Sequence, residues 1–431
     1  MSAASSMTDV LIIGGGPAGS TAATLLARAG HDVTLLEKDH HPRFHIGESL
    51  LPANMALFEQ LGVAEQMRAI GMEKWGAEFV SPWDGRRQDY RFAEAWDKRM
   101  PYAYQVRRSQ FDEILIRHAA CAGARVIEGC RARAVQFLPR RMGVLVHAEH
   151  EDGRADAWRA RFLVDASGRD TFLASRFGCK RRNPRHNSAA LFAHFRGAQR
   201  YCGERAGYIT VYWFEHGWFW FIPLRDGTSS VGAVVWPYYL RSRSVGVREF
   251  FLATIAGCAP LAERLAGAEL VSDVQATGNY SYRASHSYGE AYLMLGDAYT
   301  FIDPVFSSGV LLAMNSAFAG ARAIDAYLRA PRRARRELRA FHRVMRHGPR
   351  QFSWFIYRIT QPTMRELFMA PANPLRMKEA LLSLLAGDIF GRTPIWASLC
   401  SFKLLYALLA LLHPRRSLSA LRRRRLNVQP A

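Results

Sequence analysis

Gly14, Gly16 and Gly19 in the run Val10-Leu-Ile-Ile-Gly-Gly-Gly-Pro-Ala-Gly19 have the spacing of a turn that cradles a pyrophosphate. The first glycine turns the chain, the second lets the backbone approach the phosphates, and the third permits close packing of the following helix. Glu37 lies 18 residues past Gly19 (37 − 19), where a carboxylate accepts from both hydroxyls of a ribose. Together they specify a dinucleotide and leave open whether it carries nicotinamide or flavin. Three further stretches could do chemistry. They are Lys74 within Gly71-Met-Glu-Lys-Trp-Gly-Ala77, the aromatic run Trp218-Phe-Trp-Phe-Ile-Pro223, and Phe301-Ile-Asp-Pro-Val-Phe-Ser-Ser-Gly309. A lysine becomes a nucleophile when burial lowers its pKa. Unpaired backbone amides at a helix start bind an anion, which makes Ser308 and Gly309 anion candidates.

These residues need a scaffold, and the hydrophobic pattern supplies one. Residues 9–13 form a short apolar run without polar alternation, as in a parallel strand covered on both faces. The glycine turn follows, then a small-residue helical stretch over 20–29 that stops at Gly30, then a strand over 31–37 ending in Glu37. This is a complete βαβ unit. A helix is expected over 105–122, with strands over 124–128 and 161–165. Alternating apolar runs at 189–195, 208–214, 218–223 and 230–236 predict an antiparallel sheet apart from the nucleotide half. Residues 291–297 return to the nucleotide half, a helix runs from Val310 to about Leu328, and the remainder to 412 is helical and rich in aromatics.

The 431-residue chain is long enough for a large core, and 49% hydrophobic residues fit a globular protein. Lys and Arg number 58 against 37 Asp and Glu, a formal charge of +21 that attracts acidic partners. The arginine clusters lack an aromatic-interleaved nucleic-acid motif or zinc-finger spacing, so nucleic acid is not expected as a partner. The six cysteines are scattered, with no CxxC pair and no cleavable leader before the first strand, which fits a cytoplasmic location and no metal. No run reaches the 18 apolar residues of a spanning helix. Residues 401–412 are strongly apolar and precede Arg415, Arg416 and the run Arg422 to Arg425; they read as a packed terminal helix with a solvated basic tail, the alternative being peripheral membrane contact.

Arg108-x-x-Phe111-Asp112, the Asp165-Ala-Ser-Gly168 turn and Gly296-Asp297 resemble the flavoprotein monooxygenase superfamily, a Rossmann-type GR2 fold that binds FAD. Within it the chain resembles the flavin-dependent halogenases of the tryptophan-halogenase-like branch. Trp218-x-Trp220-x-Ile222-Pro223 matches a tryptophan signature that keeps substrate away from the flavin, and Lys74 matches the active-site lysine. Phe301, Pro304, Ser307 and Gly309 match the halide region, which makes Ser308 and Gly309 the residues expected at chloride or bromide. Ile46-Gly-Glu-Ser-Leu-Leu-Pro52 also fits, although reductases of the geranylgeranyl type share something close to it.

The resemblance implies an α/β architecture: FAD-binding over 1–186, an inserted antiparallel substrate sheet over 187–286, a return to the FAD fold over 287–330, and a helical C-terminal region over 331–431. It implies FAD contacts from Gly14, Gly16, Ala18, Gly19, Glu37, Lys38, Glu48, Ser49, Arg108, Asp297, Pro304 and Gly309. The implied reaction takes FADH2 from a separate flavin reductase, with O2 and halide. Hypohalous acid passes the tryptophan barrier to Lys74, which directs it to an electron-rich aromatic substrate of secondary metabolism. The C-terminal part is more similar to enzymes acting on pyrrole, phenol or groups tethered to an acyl or peptidyl carrier protein than to those acting on free tryptophan. An FAD hydroxylase, a geranylgeranyl-type reductase and a non-catalytic membrane-associated flavoprotein are the alternatives.

Overall fold

A computed structural model describes residues 6–139, 142–184, 186–278 and 281–428. Five parallel strands form its nucleotide half, with the first strand, Ser6–Ile13, at the centre. Val33–Leu36 and Arg125–Ile127 lie on one side of it, Ala155–Asp165 and Tyr292–Met294 on the other. Both faces are covered, so Val10, Leu11 and Ile12 are fully buried, as the unbroken apolar run requires. A hairpin of Cys130–Phe137 and Val144–His150 joins the edge of Ala155–Asp165 in antiparallel fashion.

The first helix, Pro17–Arg28, starts with proline in its first turn and packs its Ser, Thr and Ala residues inward. Small side chains let it sit close to the sheet. Gly14 has φ +103°, which L residues avoid, and a Cβ on Gly19 would stand 1.9 Å from the Gly14 carbonyl oxygen. The chain therefore has no choice but glycine at both places.

In the second sheet, Ala189–Arg196, Thr228–Val235, Gly217–Pro223 and Ile209–Phe214 are successive antiparallel neighbours. Two strands from before residue 187, Gly76–Val80 and Arg87–Arg91, extend it, and Gly76–Val80 pairs parallel to Ile209–Phe214. The span 1–186 thus contributes to both sheets, and the second is mixed where pure antiparallel pairing was expected. Local hydrophobic period cannot tell which sheet a strand joins; the decision rests on packing of Phe79 against Trp213 and Phe368, with ring centroids 5.4 and 5.3 Å apart. Helices at Pro237–Arg241, Val247–Ala256 and Ala259–Arg264 interrupt the strands of this region.

Gly309–Arg329 packs against Pro17–Arg28 and against the long helix Pro331–Ile356. Pro362–Met369, Met377–Ala386, Trp396–Leu412 and Pro414–Val428 complete the helical C-terminal region. The terminal apolar helix differs from the packed element expected. Only Ser398, Leu399 and Phe402 of Trp396–Leu412 are buried, because one side of it alone meets the body, chiefly Met377–Ala386 and Pro362–Met369 with ring contacts to Trp354 and Phe355. No single helix among the described residues is long and apolar enough to cross a membrane.

Candidate functional site

The C-terminal ends of the parallel strands open onto a cavity of about 750 Å³ between the two sheets. Gly14, Gly16 and Ala18 line it from the glycine turn. A Cβ on Gly16 would meet nothing nearer than an Arg43 nitrogen at 3.7 Å, so the space beside that backbone is open. Gly19 is not on the wall; its role is the close helix packing described above.

Glu37 sits at the end of its strand as the spacing requires. One carboxylate oxygen accepts from the Gly15 amide at 2.6 Å and the other from Asp39 at 3.0 Å, which fixes the group on the cavity wall. Lys38, also on the wall, pairs with Asp170 at 2.6 Å. Arg108 grips Asp112 through two hydrogen bonds of 2.9 and 3.0 Å and donates to the Ile46 carbonyl at 2.8 Å. It holds the loop 46–49 in place as well as facing the cavity. Asp297 lies on the wall where burial pushes its carboxyl up to about 6, against the opposing pull of Arg169 and Arg108.

Local motifs do not mark Arg43, which lines this cavity, or His194, which stands behind its wall. Arg43 stands 3.8 Å from Glu37 and 3.4 Å from Asp112, and its Nε has no hydrogen-bond partner among the described residues. His194 is 3.0 Å from the buried carboxylate of Glu48, which lines the wall. Glu48 belongs to the 46–52 motif, but nothing local pairs it with His194, 146 residues away.

The helix Gly309–Arg329 begins at the cavity. Asp303 shapes the approach: one oxygen accepts from the Val305 amide at 3.2 Å, the other is 3.0 Å from His186 and accepts from Ser188 at 3.1 Å. Ser307 then takes φ +56° to turn the chain into the helix. Pro304, Ser307 and Gly309 line the cavity, and a Cβ on Gly309 would meet nothing within 4 Å. Ser308, expected at the anion, is not on the wall; its hydroxyl is buried with no hydrogen-bond partner among the described residues. The turn at Ser307 presents that residue to the cavity in its place.

Trp218, Trp220 and Ile222 line the cavity, while Pro223 does not. Alternate residues of a strand share a face, so the three even positions form the wall and Pro223 points to the other side. Lys74 lies behind the wall. Its ammonium nitrogen donates to Ser49 Oγ and to the Leu50 carbonyl, both at 2.9 Å, and Ser49 is itself on the wall. The side chain is 1% exposed and sits 5.3 Å from the Phe92 ring centroid. Burial without a compensating carboxylate lowers its pKa from 10.5 to about 7.

Residues 7–343 match the family model described as an FAD binding domain. The chain is 30% identical to the 1H-pyrrole-2-carbonyl peptidyl-carrier-protein chlorinase of Pseudomonas fluorescens, over 89% of this chain and 90% of that protein. It is 36% identical to the tryptophan 2-halogenase of Chondromyces crocatus over 75% of this chain, spanning 62% of that longer relative. Among solved structures, the myxobacterial chondrochloren halogenase superposes with a TM-score of 0.79 at 34% identity, covering 91% of this chain and 93% of that one. The chain belongs to the flavin-dependent halogenases. The residues of this halogenase fit FAD: an open glycine turn for the pyrophosphate, a fixed acid at the ribose end, and an arginine, Arg43, on the wall beside them. The wall of Trp218, Trp220 and Ile222 bounds the same cavity.

Proposed function

We propose that this halogenase chlorinates or brominates an electron-rich aromatic substrate, free or tethered to an acyl or peptidyl carrier protein, with FADH2 supplied by a separate flavin reductase. The observation that carries the proposal is Lys74: an amine buried without a counter-charge, one side chain behind the cofactor cavity. Reduced FAD with O2 supplies the oxidising equivalent that turns halide into hypohalous acid.

Gly309 offers the halide a helix start on the cavity wall, where partial positive charge favours an anion. Trp218, Trp220 and Ile222 keep the aromatic substrate from the cofactor, which favours halogen transfer over direct oxygen transfer. Lys74 has a pKa near neutrality, so a large share of it is the free amine at pH 7. A neutral amine has two N–H groups and one lone pair. Ser49 and Leu50 take both N–H groups, and the lone pair remains available. Attack on the halogen of hypohalous acid forms an N–halogen bond and breaks the O–halogen bond; the hydroxide released takes a proton from nitrogen and leaves as water. The aromatic carbon then accepts the halogen, the ring proton is lost, and the amine is restored. Ser49 positions the amine and separates it from the cofactor wall.

The charge of +21 and the carrier-protein substrate of the Pseudomonas relative support a carrier-tethered substrate. A cytoplasmic setting, where reductases and carrier proteins operate, agrees with six free cysteines. The decisive experiment supplies reductase, O2 and a panel of phenol and pyrrole substrates, with and without chloride or bromide. Product mass spectra are expected to show halogen only with halide present, and Lys74→Ala is expected to keep FAD binding and flavin oxidation while abolishing halogenated product. Oxygenated product independent of halide would assign the chain to hydroxylation instead.

A further inference from the structure

Trp396–Leu412 turns one side to the protein body and leaves the other uncovered. Leu399, Phe402 and Tyr406 face inward: Phe402 meets Phe355 at a tilt with ring centroids 5.6 Å apart, Tyr406 meets Trp354 edge-on at 5.5 Å, and the Tyr406 hydroxyl bonds Gln361. Leu404, Leu408, Leu411 and Leu412 are spaced i, i+4, i+7 and i+8, which puts them on one helical face, and they are 51–73% exposed. The following helix, Pro414–Val428, repeats the arrangement with exposed Leu418, Leu421 and Leu426. Seven exposed leucines on two successive helices are more apolar surface than monomeric proteins usually leave in water.

The sequence from 396 to 428 contains no Asp or Glu, while Arg415, Arg416 and Arg422 to Arg425 cluster at the second helix. The two helices meet at 99°, so the apolar segment is broken and does not form a straight span. Ion pairing of Arg416 with Glu366 at 2.5 Å ties the second helix to the body. An apolar face bordered by cations has the chemistry of an interfacial anchor: leucines enter the acyl boundary and arginines meet lipid phosphate. A second copy of the chain is a poor match for this face, because it would bring two arginine-rich, acid-free surfaces together.

We propose that the outward face of Trp396–Leu412 and Pro414–Val428 docks the enzyme on the surface of a bilayer rich in anionic lipid. The surface is independent of the cofactor cavity, and the proposal does not rest on the halogenation chemistry.

The test is vesicle flotation of the full-length holoprotein, comparing phosphatidylcholine vesicles with vesicles containing phosphatidylglycerol. The unaltered chain is expected to float with the anionic vesicles at least about tenfold more than with the neutral ones, and less as salt rises. Leu408→Asp with Leu411→Asp, both at exposed positions, is expected to reduce flotation at least about tenfold while FAD content and turnover of a soluble substrate stay unchanged. Arg422→Glu with Arg425→Glu is expected to remove the preference for anionic lipid. Absence of flotation by the unaltered chain, or equal flotation by the leucine variant, overturns the proposal. So does a concentration-dependent dimer that the leucine variant abolishes in the absence of vesicle binding.

Discussion

Replacing Lys74 by methionine tests the environment assigned to the amine, because methionine keeps most of the volume and removes the charge. A folded-state pKa of about 7 against the ordinary 10.5 means that the unfolded chain binds a proton there across the interval between the two. Stability therefore rises with pH over that interval: the contribution is complete above 10.5 and is lost as pH falls to about 7. At about 1.4 kcal/mol per pH unit the full loss is about 5 kcal/mol. The methionine variant escapes this loss. It forfeits the hydrogen bonds to Ser49 and Leu50, together worth about 2 kcal/mol. Below neutrality the variant should be more stable than the parent by about 3 kcal/mol, above the lysine range less stable by about 2 kcal/mol, with the curves crossing near about pH 9. Urea unfolding followed by tryptophan fluorescence over that pH range measures the difference. A parent that is more stable than the variant at every pH, with no slope between them, would refute the account of Lys74 as an amine held neutral by burial.

Gly16→Val should lower FAD affinity at least about tenfold by filling the space beside the turn, yet leave the fold intact, since no protein atom but Arg43 is near; absorbance after gel filtration and a thermal melt separate the two effects. His194→Ala strands the buried Glu48 carboxylate and should destabilise the protein by about 3 kcal/mol, with much of the loss recovered when Glu48→Gln is added; chemical unfolding of the single and double variants gives the coupling. Turnover of a carrier-tethered aromatic should fall as salt is raised, because contacts between exposed charges are screened beyond about 10 Å at 0.1 M ionic strength, whereas a free substrate should show little change; parallel initial-rate series in rising salt decide it.

The glycine turn, its flanking strand and helix, and Glu37 were legible because each depends on neighbours along the chain. The same locality made the aromatic run 218–223 legible, but Pro223, grouped there with Trp218, Trp220 and Ile222, lies on the opposite face of the strand, away from the cavity. Of Ser308 and Gly309, the pair expected at the anion, only Gly309 lines the cavity. Helix-start reasoning marks the region, but the left-handed turn at Ser307 decides which residue reaches the wall. The pairing of Glu48 with His194 left no local trace, nor did the approach of Arg43 to Glu37 and Asp112. Hydropathy described residues 401–412 correctly as apolar, but an apolar helix reads the same whether its outer face is covered or bare.

What the sequence alone determined is therefore the dinucleotide half, set by φ freedom at glycine and by the apolar pattern of its buried parallel strands. Only the tertiary structure decided what Lys74 is. Ser49 and Leu50 come from 25 and 24 residues earlier in the chain to take its hydrogen bonds, and among the described residues no carboxylate holds its charge. Desolvation is the sum of everything the whole fold places around one nitrogen, and no window of sequence contains that sum.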